Sequence, residues 1–163
     1  MTREIRHATD DDWPIIWPLF HEVVAAQQTY AFDPDLTSDE GRALWLERPP
    51  GATVVLEEDG ELLGTAKMGP NRPGPGRHVG TASFMVATEA RGRGVGRALG
   101  EHVVGWHREQ GYAAIQFNAV VAINHAAVAL WQSLGFSIVG TVPAAFDSPT
   151  YGRVGLHVMH LLL

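Results

Sequence analysis

The period of the apolar positions changes several times along the chain, and each change marks an element. "EIRHA" at residues 4–8 alternates as a short strand does, and Thr9 to Asp12 offer capping oxygens ahead of "WPIIWPLFHEVVAA", whose helical period predicts a helix to about residue 27. "QQTYAFDPDL" has no period, after which "TSDE" at 37–40 opens a second helix through Trp45. "ATVVLEEDGELLGTAKM" reads as two strands, near 52–57 and 61–68, joined through Asp59-Gly60, a dipeptide that accepts the positive φ of a tight hairpin. "GPNRPGPGR" at 69–77 is a surface loop, and "HVGTASFMVA" is a third long strand. Val95, Leu99, Val103 and Trp106 then form one helical stripe ended by Gly111. "AAIQFNAVV" is a buried strand, Ala127, Leu130, Trp131 and Leu134 form a second stripe ended by Gly135, and "FSIVGTVPAAF" and "VGLHVMHLLL" supply two last strands. The order is β, α, α, three β, α, β, α, two β, a mixed α/β pattern without internal repeat, which predicts a single domain over residues 1–163.

Composition removes several classes of function. The formal net charge of -6 argues against a nucleic-acid binder, which needs a broad basic face. With no cysteine there is no disulfide framework, thiolate nucleophile or Cys-ligated metal. No run approaches the length of a membrane span and "MTREIRHATD" lacks a secretory apolar stretch, so the expectation is a cytoplasmic protein without membrane contact. Its single lysine among 12 basic residues fits a GC-rich, bacterial genome. Eight histidines invite a metal reading, but His102 and His107 fall on different sides of a helix and His157 and His160 on opposite faces of a strand, so no metal site is expected.

Positive charge and bare backbone concentrate in "ARGRGVGRALG", residues 90–100, between a strand and the first turn of a helix. A helix start has amides without intrahelical partners and a partial positive charge; glycines let a ligand approach them, and Arg91, Arg93 and Arg97 surround them. This is a phosphate site. It is not a P-loop, because the chain has no GKS or GKT, and its glycine spacing fails the dinucleotide fingerprint.

Arg91 to Gly96 spell R-x-x-G-x-G, and here the chain resembles the GCN5-related N-acetyltransferases, whose strand, loop and helix hold the pyrophosphate of acetyl-coenzyme A. "NHAAVALWQSLGF", Asn124 to Phe136, resembles a second segment of the same family at the usual distance. The resemblance covers the chain from residue 3 to its end. It implies a mixed, mostly antiparallel sheet of six or seven strands with four helices, splayed between the fourth and fifth strands. It also implies acetyl-coenzyme A as cosubstrate, with Phe84, Met85 and Val86 presenting backbone to the pantetheine arm. The loop residues Arg91, Gly92, Arg93, Gly94, Val95, Gly96 and Arg97 would take the pyrophosphate, with Asn124 and Trp131 facing the arm near the thioester. About the C-terminal third resembles N-acetyltransferases of the azetidine-2-carboxylate and amino-acid type, which implies a small amino-acid-like or xenobiotic amine as acceptor.

The chain departs from the family at both ends of the proton path. Trp131 stands where many members carry a tyrosine to protonate the thiolate, and its indole is far too weak an acid. The strand at 78–87 has no carboxylate for a base, leaving only Glu89 and His125 nearby. Asn118 lies on the face of its strand opposite Ile115 and Phe117, which predicts a buried amide beside the splay, and with Asn124 it is the candidate catalytic group. Asn118, Tyr30, Phe32 and Tyr151 are the candidates for the acceptor pocket. Two other functions share these features: a coenzyme A-binding regulatory module without turnover, and a transferase acting on proteins or peptides. A homodimer is expected by analogy with the family alone.

Overall fold

A computed structural model describes residues 2–163. In chain order the elements are β1 (Arg3–His7), α1 (Trp13–Ala25), α2 (Ser38–Trp45), β2 (Ala52–Glu58), β3 (Glu61–Pro70), β4 (Val79–Val86), α3 (Val95–Glu109), β5 (Ala114–Val121), α4 (His125–Ser133), β6 (Ser137–Ser148) and β7 (Gly152–Leu162). The strands form one sheet in the order β1-β2-β3-β4-β5-β7-β6, antiparallel throughout except where β4 meets β5. This is the mixed, mostly antiparallel architecture expected from the sequence. No helix among the described residues is long and apolar enough to cross a membrane.

Local chemistry sets the element ends. Thr37 and Glu40 cap α2 reciprocally: the Glu40 N–H donates to Thr37 Oγ1 (3.3 Å) and the Thr37 N–H to Glu40 Oε2 (2.8 Å). Asp59 and Gly60 take φ of +51° and +84°, the left-handed pair that a two-residue hairpin needs between β2 and β3. Helix α1 is shorter than predicted, because the chain leaves it after Ala25 and turns at Gln27 with φ +53°. Ahead of it, the Thr9 N–H donates to Asp12 Oδ2 (2.6 Å) while Arg6 donates to both Asp12 oxygens (2.8 and 2.9 Å). The Arg6 guanidinium thereby holds the Asp12 carboxyl down at about 2.

Helices cover both faces of the N-terminal half of the sheet. On one face α3 lies so close to β3 that a Cβ on Gly64 would sit 2.9 Å from Val95 and 3.0 Å from Leu99. On the other, Trp45 of α2 packs edge-on against Phe20 of α1 and donates its indole N–H to Thr65 Oγ1 (3.1 Å). A second core under β5 and β7 gathers Phe117, Phe136 and Met159 around Trp131 of α4.

Between the halves, β4 and β5 pair only at Val79↔Ala114 and Gly80↔Ile115 and then part. A bulge between Phe117 and Val120 turns β5 away. The closed end is packed tightly: His107 of α3 fits against bare Gly80 backbone, where an added Cβ would lie 2.2 Å from the ring.

That fit leaves His107 fully buried, with Nδ1 2.8 Å from the Val103 carbonyl and Nε2 making no hydrogen bond among the described residues. Burial pushes its pKa below the usual histidine value, and that of His102 likewise. An unfolded chain therefore binds protons that the folded one refuses, so stability held above about pH 6.5 is lost as pH falls toward the depressed values. Urea unfolding from pH 7.5 to 5 is expected to show this loss, and His107→Gln to flatten it. An unchanged slope in the variant would remove His107 as its source.

Candidate functional site

Alternation along β4 decides which backbone groups face the gap. The Ala87 N–H donates to Leu63 O (2.9 Å) and Ala113 N–H to His78 O (2.9 Å), so odd positions of β4 serve β3 and even positions face β5. Past Gly80 the even positions Ala82, Phe84 and Val86 have no strand beside them among the described residues. The sequence reading grouped Phe84, Met85 and Val86 as contributors to the arm. Of these, Met85 is 2% exposed and registers with Thr65 of β3, so its backbone is on the β3 side rather than the gap side.

Below Val86 the chain makes a 3-10 turn and reaches the glycine loop. Gly92 and Gly94 have φ of +75° and +76°, and a Cβ on either would meet no atom within 4 Å. Gly94 is the N-cap of α3 and places no side chain over its amides. Those of Val95, Gly96 and Arg97 have no intrahelical partner, since the first helical bond is Ala98 N–H to Gly94 O (3.0 Å). The amides of Arg91 and Arg93 are spent within the turn, on Thr88 O and Ala90 O at 3.3 Å each. Of residues 91–97, expected to take the pyrophosphate, Gly92 and residues 94–97 therefore keep amides without a backbone partner among the described residues, whereas Arg91 and Arg93 do not. This is an open cradle of N–H groups at a helix dipole, and it fits a diphosphate.

The arginines around it are not equivalent. Arg93 pairs with Glu58, which also holds Arg3 (3.0 Å), and Arg3 Nη1 donates to the Arg93 carbonyl (3.1 Å). Arg97 Nη2 donates to Ser133 Oγ of α4 (2.7 Å) and its Nη1 lies 3.7 Å from Glu101. Among the described residues, Arg91 alone of the three forms no ion pair or side-chain hydrogen bond. Arg93 and Arg97 tie the cradle to β2 and α4, a role that only the folded chain reveals.

The floor of the gap on the α4 side is aromatic. Trp131 is 7% exposed, with its ring centroid 4.5 Å from that of Phe84 and 5.1 Å from that of Phe117. Asn124 caps α4, its Oδ1 accepting the Ala127 N–H (3.3 Å).

On the opposite face stand two of the acceptor candidates, Tyr30 and Phe32. The Tyr30 hydroxyl donates to Phe84 O (2.6 Å) and accepts the Phe84 N–H (2.7 Å), so it lies in the gap itself. Its ring stacks on Phe32 (5.4 Å, 6°), and Phe32 stacks on Phe20, which anchors it to the core. Burial raises the Tyr30 pKa above the usual phenol value, keeping it protonated.

Asn118 is exposed rather than buried, because the bulge after Phe117 takes it out of register with β7. Its Oδ1 accepts from Asn71 Nδ2 (3.2 Å) and Gln116 Nε2 (3.0 Å), and its Nδ2 donates to Asn71 Oδ1 (2.6 Å). Gln116 shares the strand face of Asn118, as alternation predicts, but Asn71 was missed, since no local pattern brings residue 71 to residue 118. Tyr151 is 72% exposed in the β6–β7 turn, and among the described residues it joins none of the other candidates. A cleft of about 760 Å³ lined by Asn71, Arg72, Arg77, His78 and Tyr112 lies at the other end of α3 from the glycine loop.

Residues 5–136 match the sequence model of the Acetyltransferase (GNAT) family. A GCN5-related N-acetyltransferase from Kribbella flavida superposes with a TM-score of 0.96 at 57% identity, covering 99% of this chain and 98% of its own. The L-amino acid N-acyltransferase MnaT of Escherichia coli is 31% identical over 85% of this chain and 82% of its own length. N-acetyltransferase aca1 of Schizosaccharomyces pombe is 27% identical over 72% of this chain. The chain spans only 64% of that relative, and 18% and 28% of two longer ones.

The cap on α4 has a direct test. Asn124→Ala is expected to lower unfolding stability by about 1 kcal/mol, and Asn124→Asp to restore it. Equal stability of all three proteins would mean that the Ala127 bond contributes nothing.

Proposed function

Because the chain belongs to the acetyltransferase (GNAT) family, we propose that it is an acetyl-coenzyme A-dependent N-acetyltransferase whose acceptor is a small, amino-acid-like amine. The observation that carries this reading is the unpaired even edge of β4 running into an uncapped, glycine-lined helix start. Acetyl-coenzyme A supplies an activated acetyl group. In this reading the amides of Gly92 and residues 94–97 hold the diphosphate, Phe84 and Val86 the pantetheine arm, and Trp131 the apolar floor. Tyr30, Phe32 and the amides of Asn71, Gln116 and Asn118 border the face from which the amine arrives. Tyr151 is retained as a further acceptor contact only as an expectation of the family resemblance.

Proton chemistry favours the acceptor class. β4 carries no carboxylate, Trp131 cannot protonate a thiolate, and the Tyr30 proton is committed to Phe84 O. A thiol with a pKa near 8.5 leaves without a strong acid, and an α-amine of about 7.7–8.0 needs little help to be neutral, whereas a lysine amine near 10.4 needs a base. A site built from placement rather than proton transfer suits the α-amine. The similarity to MnaT, named for L-amino acids, supports the same class.

We further propose that residues 1–163 act as one catalytic domain in the cytoplasm of a bacterium, supported by the cysteine-free composition and the bacterial relatives. A homodimer belongs to the same reading. β6 is the outer strand of the sheet and exposes Val139 and Val142 by 62% and 52%. Its mass by light scattering is the check.

Thiol release from acetyl-coenzyme A, run across amino acids, imino acids, polyamines and short peptides, is expected to show turnover on α-amino or imino acids. The rate should rise with pH along the titration of each acceptor amine. Tight coenzyme A binding without turnover on any class would replace the transferase by a binding module. Asn118→Ala is expected to raise the acceptor KM by about tenfold, the worth of one hydrogen bond to a charged group, and to leave the KM for acetyl-coenzyme A alone. Unchanged acceptor kinetics would take Asn118 out of the pocket.

A further inference from the structure

The Tyr30 hydroxyl occupies a place that the fold otherwise keeps clear. Phe84 is the middle one of the three even positions on the open edge of β4, and its N–H and C=O point where a strand would pair. One phenol satisfies both, donating to the carbonyl at 2.6 Å and accepting from the amide at 2.7 Å. A hydroxyl placed this way imitates a secondary amide, which also brings one donor and one acceptor to the same backbone residue. It reaches the edge from the α1–α2 face, from the segment 26–37, whose other aromatic residue in that stretch, Phe32, stacks on it.

We propose that Tyr30 is a positioning residue that stands in for the amide of the acyl carrier's arm, holding Phe84 until the arm takes its place and pushes the 26–37 segment toward the acceptor face. The inference rests on the reading that the arm lies along β4. Arm and phenol compete for the same N–H and C=O, because a backbone N–H has one proton to give. Cosubstrate entry therefore breaks the two hydrogen bonds of the Tyr30 hydroxyl, leaving its ring held by Phe32 and Trp45, and the segment carrying Tyr30 and Phe32 shifts to form the wall against which the amine is seated. Without the phenol, Phe84 is left unsatisfied in the free protein, so the ligand gains by satisfying it.

The experiment is calorimetric titration of coenzyme A into wild type and Tyr30→Phe, with thermal unfolding of both, free and saturated. The variant is expected to bind about tenfold more tightly, the effect of removing a competing hydrogen-bonded group. It should unfold at a lower temperature when free and match wild type when saturated. A side chain with a merely structural role would lower stability and leave binding equal or weaker, which overturns the proposal. If the variant does not fold, hydrogen exchange of the wild type decides. Coenzyme A is expected to speed exchange in residues 26–37 while protecting β4, and slowing in that segment contradicts the competition. Wild type that fails to bind coenzyme A removes both this inference and the transferase reading; wild type that binds, with Tyr30→Phe no tighter, removes this inference alone.

Discussion

The parting of β4 from β5 after Gly80↔Ile115 is the constraint on which the rest of the molecule depends. A parallel pair that continued would bury the even edge of β4 in a ladder and leave no backbone to offer a ligand. The separation is maintained from both sides. His107 pressed onto Gly80 locks the closed end, while Phe84, Phe117 and Trp131 fill the α4 side with rings too large to let the strands meet. Unpaired backbone polar groups are costly in an interior, and Tyr30 relieves that cost at Phe84.

The cradle beside the gap works through backbone more than through charge. Three arginines stand in seven residues of an acidic chain, yet Glu58 neutralises Arg93 and Arg97 is turned toward α4. What remains is a helix start capped by a glycine and one arginine, Arg91, that is unpaired among the described residues. Gly94 suits this task twice over: its left-handed φ turns the chain into α3, and its missing side chain leaves the amides open, where Ser or Asp would have capped them.

Much of this was legible in the sequence, and the limits follow from chain separation. The elements were readable because their signals are local: the Thr37–Glu40 box, the Asp59-Gly60 turn and the stripes of α3 and α4 each lie within one element or its edge. The glycine loop and the Asn124 segment were readable as motifs for the same reason. What escaped was long range. Asn118 was expected to be buried by strand alternation, but a bulge took it out of register and residue 71 became its partner. Arg93 met Glu58 across 35 residues, and Tyr30 met Phe84 across 54. Met85 was grouped with its neighbours because a sequence does not say which parity faces a gap.

The central claim is that a diphosphate-bearing acyl carrier binds along the even edge of β4 and ends on the start of α3. Amide-resolved NMR during a coenzyme A titration tests it most directly. The account predicts the largest shifts at Gly92, residues 94–97, Phe84 and Val86, with the Arg91 and Arg93 amides moving less. Shifts confined to the Arg72–His78 cleft, or none at saturating ligand, would contradict it.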